Sequence, residues 1–214
     1  MFGAHMRNVR HWTPRYVYNR IRLMSSEHAH PDDPWITPEA VRLLSSMLRP
    51  SDRGVEYGSG RSTIWFAERV GQLTSVEHNE QWYATVSAKL KNRGLSNVDY
   101  ILAPRGQPKE LGSTSEYTRT AFSFAEVSID FVLIDGLYRE YVTRLMMPKV
   151  KSGGLLIIDN VNWCLPSQTH APYSRTAALG PNGPVWAELA RDLADWRSIW
   201  TSSGVTDTAI FIKP

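Results

Sequence analysis

The sequence predicts an α/β domain: a parallel sheet covered by helices on both faces and finished by an antiparallel C-terminal hairpin. Three observations carry that expectation. Short apolar runs alternate with amphipathic segments, the pattern of strands joined by right-handed crossover helices. Two of the runs, "FVLIDGLY" (131–138) and "LLIIDN" (155–160), break off at aspartates 24 positions apart. The tail "WRSIWTSSGVTDTAIFIKP" leaves that rhythm, because its two strand-like runs flank "SSG" too closely to hold a crossover helix, and so form a hairpin.

The elements follow in order. Residues 1–26 hold Arg7, Arg10, Arg15, Arg20 and Arg22 and no acid. Such a segment can approach nucleic acid, anionic lipid or an acidic partner face, or be a solvated helical arm packed on the domain or on a second subunit. "HAHPDDPWITP" (28–38) is a Pro-rich joint, which divides a basic arm (1–36) from the main domain (37–214). Thr37 and Pro38 suit an N-cap and a first helical position, and Val41, Leu44, Met47 and Leu48 share one face of a helix that stops at Pro50. "RGVEYG" is a strand running into a glycine turn, and "STIWFAERV" is a helix. "LTSVEH" is the second strand, and "EQWYATVSAKLKNRG" a helix closed by Gly94. "NVDYILA" is the third strand, followed by a polar loop and a helix within 104–126. "IDFVLIDG" is the fourth, "REYVTRLMMPKVKSGG" a helix ending in a glycine pair, and "LLIIDN" the fifth.

Composition narrows the function classes. A chain of 214 residues with 42% hydrophobic and 21% charged residues forms a core without staples. Cys164 is the one cysteine, which excludes an intrachain disulfide and a Cys-rich metal site and suits a reducing cytoplasm. No apolar run approaches the roughly 20 residues of a membrane span, and "MFGAHMRNVRHW" has no apolar h-region. The expectation is a cytoplasmic protein without stable membrane insertion. Beyond the arm the charge is nearly balanced, which argues against a dedicated nucleic-acid binder.

"VEYGSGRST" (55–63) ends the first strand and opens the next helix, where an open α/β sheet binds its ligands. Gly58 and Gly60 permit a tight turn, but Thr63 stands where a dinucleotide fingerprint has its third glycine, which suits a ligand without a diphosphate. Glu77 ends the second strand in "SVEH", where a carboxylate can take two hydrogen bonds from a ribose diol. On these motifs the chain resembles the class I S-adenosylmethionine-dependent methyltransferases over about residues 38–214. The resemblance implies a Rossmann-like sheet of seven strands with the hairpin as its reversed end. It implies that Glu56 lies near the amino-acid end of S-adenosylmethionine. Gly58, Ser59 and Gly60 pass under its methionine and ribose, with Ser62 and Thr63 nearby. Glu77 holds the ribose hydroxyls, His78 borders the adenosine, and Ala103 falls in the adenine region. The acid or amide that many members carry after the third strand is absent, replaced by "LAPRG".

In such a sheet the fourth and fifth strands end beside the methyl end of the cofactor, so Asp135, Asp159 and Asn160 converge there. Two carboxylates and an amide oxygen are hard ligands suited to Mg²⁺, which also relieves their mutual repulsion. The trio resembles that of the magnesium-dependent O-methyltransferases of the catechol and caffeoyl-CoA type, and Asp135 also stands to bind the cofactor amine. A hydroxyl held on Mg²⁺ is a better nucleophile. Tyr138, in the place where those relatives carry Lys or His, and His170, in the loop after the fifth strand, are the two candidate bases. The long stretch 163–186 supplies Trp163, His170, Tyr173 and Arg175 for an acceptor. A diffuse likeness to methyltransferases of polysaccharides, among them those of methylmannose polysaccharides, ranks a sugar or oligosaccharide hydroxyl above a phenol. Trp65 and Trp82 fall on helix faces and are assigned to the core. A nicotinamide-dependent oxidoreductase is disfavoured by Thr63 and the hairpin. An RNA-directed protein would rest on the arm alone, which is also the candidate homodimer contact.

Overall fold

The computed structural model describes residues 12–106 and 109–214; Arg7 and Arg10 of the predicted arm lie outside them. Helix α1 (Pro14–Ala29) starts at Thr13, whose side chain accepts from Tyr16 N, and α2 (Pro38–Met47) starts at Thr37, whose hydroxyl accepts from Ala40 N. Each has proline in its first turn, where no intrahelical donor is lost. The alternating units then run β1 (Arg53–Tyr57), α3 (Arg61–Ala67), β2 (Gln72–Glu77), α4 (Glu80–Asn92), β3 (Val98–Leu102), α5 (Glu116–Arg119), β4 (Ile129–Ile134), α6 (Arg139–Met146) and β5 (Val150–Asp159). Helix α7 (Pro184–Asp192) and the hairpin β6 (Arg197–Ser202) and β7 (Asp207–Ile212) complete the chain.

The sheet has seven strands in the order β3-β2-β1-β4-β5-β7-β6, all parallel except β7, which runs antiparallel to both neighbours. Both faces are buried, as the unbroken apolar runs require. Along β4, Val132 and Ile134 join one core with Val142 and Met146 of α6 and Trp186 and Leu189 of α7. Phe131 and Leu133 point the other way, into a second core with Val41 and Leu44 of α2 and Trp65 and Phe66 of α3. The strand order changes direction between β1 and β4, which leaves a crevice above the carboxyl ends of these parallel strands.

Three segments differ from expectation. The segment "KVKSGG" is not helix: α6 ends at Met146, Pro148 stops its continuation, and β5 starts at Val150. The strand absorbs the glycine pair with a register shift against β4 and a left-handed Gly153 at φ +75°. The helix expected within 104–126 is one turn, α5, between 3-10 turns at Lys109–Thr114 and Thr120–Ser123. Helix α7 was not anticipated, because "GPNGP" read as the end of a long loop.

Candidate active site

Glycine governs the approach of β1 to β4. Gly58 leaves β1 at φ +97°, and a Cβ there would stand 2.7 Å from Gly136 N and 3.0 Å from the Asp135 carbonyl carbon. The two strand tips touch backbone to backbone. Gly60 is different: its φ of 172° is ordinary extended backbone, and a Cβ would meet nothing nearer than 3.9 Å. Beyond this turn lies a pocket of about 570 Å³, lined by Gly58, Ser59, Glu77, His78, Trp82 and Asp135 among others.

Two carboxylates at the tips of β1 and β2 are fixed by local donors. Glu56 is fully buried; its Oε2 accepts from Thr63 Oγ1 at 2.6 Å and from Ser75 Oγ at 2.7 Å. Burial pushes the carboxyl up to about 7, against the pull of the Ser62, Ser75 and Thr63 hydroxyls. Its Oε1 is buried without a hydrogen bond. Such an atom is costly unless a ligand meets it. Glu77 is saturated instead. Oε2 accepts from Ser59 N at 3.0 Å and Ser59 Oγ at 2.8 Å, and Oε1 from the amides of His78 and Asn79 at 2.8 Å each. The Ser59 hydroxyl also lies 2.6 Å from Tyr100 Oη; a hydroxyl donating there instead leaves one acceptor position open on Glu77 Oε2.

Trp82 does more than the sequence assigned to it. The helix spacing assigned it to the core with Trp65, which is indeed buried. The Trp82 ring packs on the small core of Ile64, Val86 and Leu90 and also lines the pocket, with Nε1 donating to Ser59 O at 2.7 Å. Its signal was Asn79, an N-cap that starts α4 directly after the Glu77 carboxylate. Gln81 and Thr85, on the same face, were also missed. Ala103 is buried at the end of β3, donating its amide to Glu77 O, and does not line the pocket.

The tips of β4 and β5 do bring Asp135, Asp159 and Asn160 together, but around an arginine. Arg139 Nη2 donates to both Asp135 O and Asp135 Oδ1 at 2.8 Å. Its Nη1 donates to Asn160 Oδ1 at 3.1 Å and to Asp159 O, and Nε to Gly136 O at 3.1 Å. Asp159 Oδ1 accepts from Thr208 Oγ1 at 2.7 Å, and Asn160 Nδ2 donates to Thr206 Oγ1 at 2.6 Å. Burial raises both aspartates above the usual carboxylate range; their mutual repulsion adds to this at Asp159, and Arg139 opposes it at both.

This donor set does not fit the Mg²⁺ expected on Asp135, Asp159 and Asn160. The guanidinium already takes Asp135 Oδ1 and Asn160 Oδ1, two of the oxygens such a site would use, and a second cation at them would be repelled by it. Among the described residues, no three His, Cys, Asp or Glu side chains come together to hold a metal. The arginine pairs directly with the Asp135 carboxylate, while the Asp159 carboxylate is held by Thr208.

The expected bases stand apart from the pocket. Tyr138 adopts a left-handed backbone at φ +50°; its ring packs on Gly112, and its hydroxyl is buried without a hydrogen bond. It does not line the pocket. His170 is exposed in the loop after β5, beside Thr169, which donates to Asp207. That loop is held by Asn162, whose Nδ2 donates to Pro172 O at 3.0 Å, and by pairing of Pro166 with Arg175. Trp163, 45% exposed, lies under the Arg139 guanidinium at 5.9 Å.

A parallel sheet with a reversed β7, a glycine turn after β1 and an acid after β2 define a nucleoside-binding transferase of the methyl-transferring class. The chain belongs to the methyltransferase-domain family, whose model matches residues 55–161. It is an S-adenosylmethionine-dependent methyltransferase. No curated protein matches the sequence. Among solved structures it is similar to a putative caffeoyl-CoA O-methyltransferase from Staphylococcus aureus, with a TM-score of 0.56 at 17% identity, covering 96% of this chain and 95% of that one. A putative methyltransferase from Streptococcus mutans in complex with SAH gives 0.56 at 11% identity, over 81% and 94%. An rRNA methylase from Streptococcus thermophilus gives 0.53 at 12% identity, over 80% and 92%. At such identities the likeness is one of fold. Of the residues expected at the cofactor, Gly58, Ser59, Glu77, His78 and Asp135 line the pocket, whereas Glu56, Gly60, Ser62 and Thr63 do not, Glu56 being wholly buried behind it with Oε1 unbonded.

Proposed function

We propose that the protein transfers a methyl group from S-adenosylmethionine to a hydroxyl of a sugar or oligosaccharide, without a bound cation. The observation that carries this reading is Asp135, a carboxylate of raised proton affinity that lines the pocket at the tip of β4. An alcohol must lose its proton as it is alkylated, and a carboxylate close by is the acceptor it needs. When bound, the cofactor supplies an activated methyl on a sulfonium centre. The chain's part is to position and desolvate. Arg139 Nη2 holds Asp135 by its carbonyl and its carboxylate, and Nη1 holds Asn160 Oδ1. Asp135 takes the hydroxyl proton, and the guanidinium keeps the carboxylate oriented. Trp163, exposed beside Arg139, offers an aromatic face to a sugar ring.

Incubation with methyl-labelled cofactor and a panel of mannosides, glucosides, catechols and ribosomal RNA tests the reading. Label is expected in glycosides as an alkali-stable ether. Asp135→Asn should lower kcat by about 10²-fold or more while cofactor affinity changes little. Label confined to catechols or RNA, or an Asp135→Asn variant with full kcat, would overturn it.

A further inference from the structure

The cofactor site makes no use of α1, which carries an unusual outer face. Leu23 is its one buried residue, so the helix touches the domain along a single edge. At 100° per residue, Val17, Tyr18, Ile21 and Met24 form one stripe on the side opposite Leu23. All four are exposed, Tyr18 and Ile21 at 61%, and Trp12 just ahead of the helix is 65% exposed. Arg20 borders the stripe on one side, and Arg15 and Arg22 on the other. An apolar stripe with arginines along both margins is the pattern of a helix lying in a membrane interface.

We propose that α1 is an interfacial helix that docks the enzyme on an anionic lipid bilayer. The apolar stripe sinks to the acyl boundary, and the arginines meet headgroup phosphates at its margins. Charge selects this occupant over a second copy: residues 1–26 hold five arginines and no acid, so pairing two arms sets arginine against arginine. Nucleic acid is disfavoured because the outermost residues are apolar rather than basic. The helix lies on the bilayer and does not cross it; among the described residues no helix is long and apolar enough to span. It is seated beside the acceptor side of the sheet: Asn19 packs over Gly204 in the β6–β7 turn, and Thr206 of that turn accepts from Asn160.

The test is co-sedimentation of the full chain with phosphatidylcholine vesicles and with vesicles in which phosphatidylglycerol replaces part of that lipid. Binding is expected only to the anionic vesicles, and should weaken with added salt. Ile21→Asp/Met24→Asp should abolish it, and Arg20→Gln and Arg22→Gln should each weaken it about fivefold. All these variants should keep the wild-type melting temperature and cofactor binding, since none of the four side chains is buried. The proposal is overturned if the full chain stays in solution or binds both vesicles equally. It is equally overturned if the aspartate variant still binds, if that variant instead dissociates a dimer, or if the arm retains RNA rather than vesicles.

Discussion

Glu56 and Arg139 are single residues whose surroundings set measurable properties. With its carboxyl raised to about 7 from an ordinary 4.5, native Glu56 holds a proton through a window in which the unfolded chain has lost it. Stability of the cofactor-free protein therefore falls as pH rises from about 4.5 to about 7, by about 3 kcal/mol from this group. Glu56→Gln should remove that slope in urea titrations. If the cofactor's ammonium reaches Glu56, as the resemblance implies, it favours the charged form, so cofactor binding should release a proton below about pH 7, and calorimetry in buffers of different ionisation enthalpy should detect it. Arg139 gives a second prediction. Turnover should survive exhaustive chelation, because a side chain fills the place of the cation. Arg139→Gln should cost about 2 kcal/mol of stability and most of the activity. Arg139→Lys should rescue little, since a point charge cannot reach Asp135 and Asn160 together. Chelation that stops turnover, with recovery on adding Mg²⁺, would overturn the cation-free reading.

Between elements, the contact of the β1 and β4 tips separates the two glycines of "GSG". Gly58→Ala puts a methyl against the Gly136 backbone at a left-handed φ and should cost about 1–3 kcal/mol in the cofactor-free protein. Gly60→Ala, in open space at an extended φ, should stay within about 0.5 kcal/mol. Thermal melts of the two variants decide it. Sequence spacing treats these glycines alike, because it records that a turn is present and not which backbone faces it. The same blindness hid Arg139. Read along the chain, it opens a helix; only folding brings its guanidinium back four residues to Asp135 and across 20 residues to Asp159. The left-handed backbones at Tyr138 and Asn160, where β4 and β5 end, belong to the same corner, and neither residue announces such a conformation.

Across the molecule, the order of strands was legible because each central strand is an apolar run buried on both faces and closed by a glycine or an acid. The hairpin was legible because "SSG" leaves no room for a helix; that β7 is the reversed strand of the sheet came from the resemblance. Element ends were less so: Pro148 and Gly153 moved the start of β5, and α7 hid behind prolines and glycines. Of the site, the turn and Glu77 were readable as strand endings. The pocket wall from Trp82 was not, since helical spacing cannot tell an inner face from one that borders a crevice.

One hydroxyl ties the arm to the chemistry. Thr208 Oγ1 gives its hydrogen to Asp159 and takes one from the amide of Thr37, where the joint enters α2. Thr37 Oγ1 lies in turn 2.5 Å from Thr201 Oγ1. A hydroxyl has one hydrogen, so its direction toward Asp159 is enforced by the donor behind it. Tugging on the joint would let that hydroxyl swing, and Asp159, buried behind Asp135, would then change its grip on a proton.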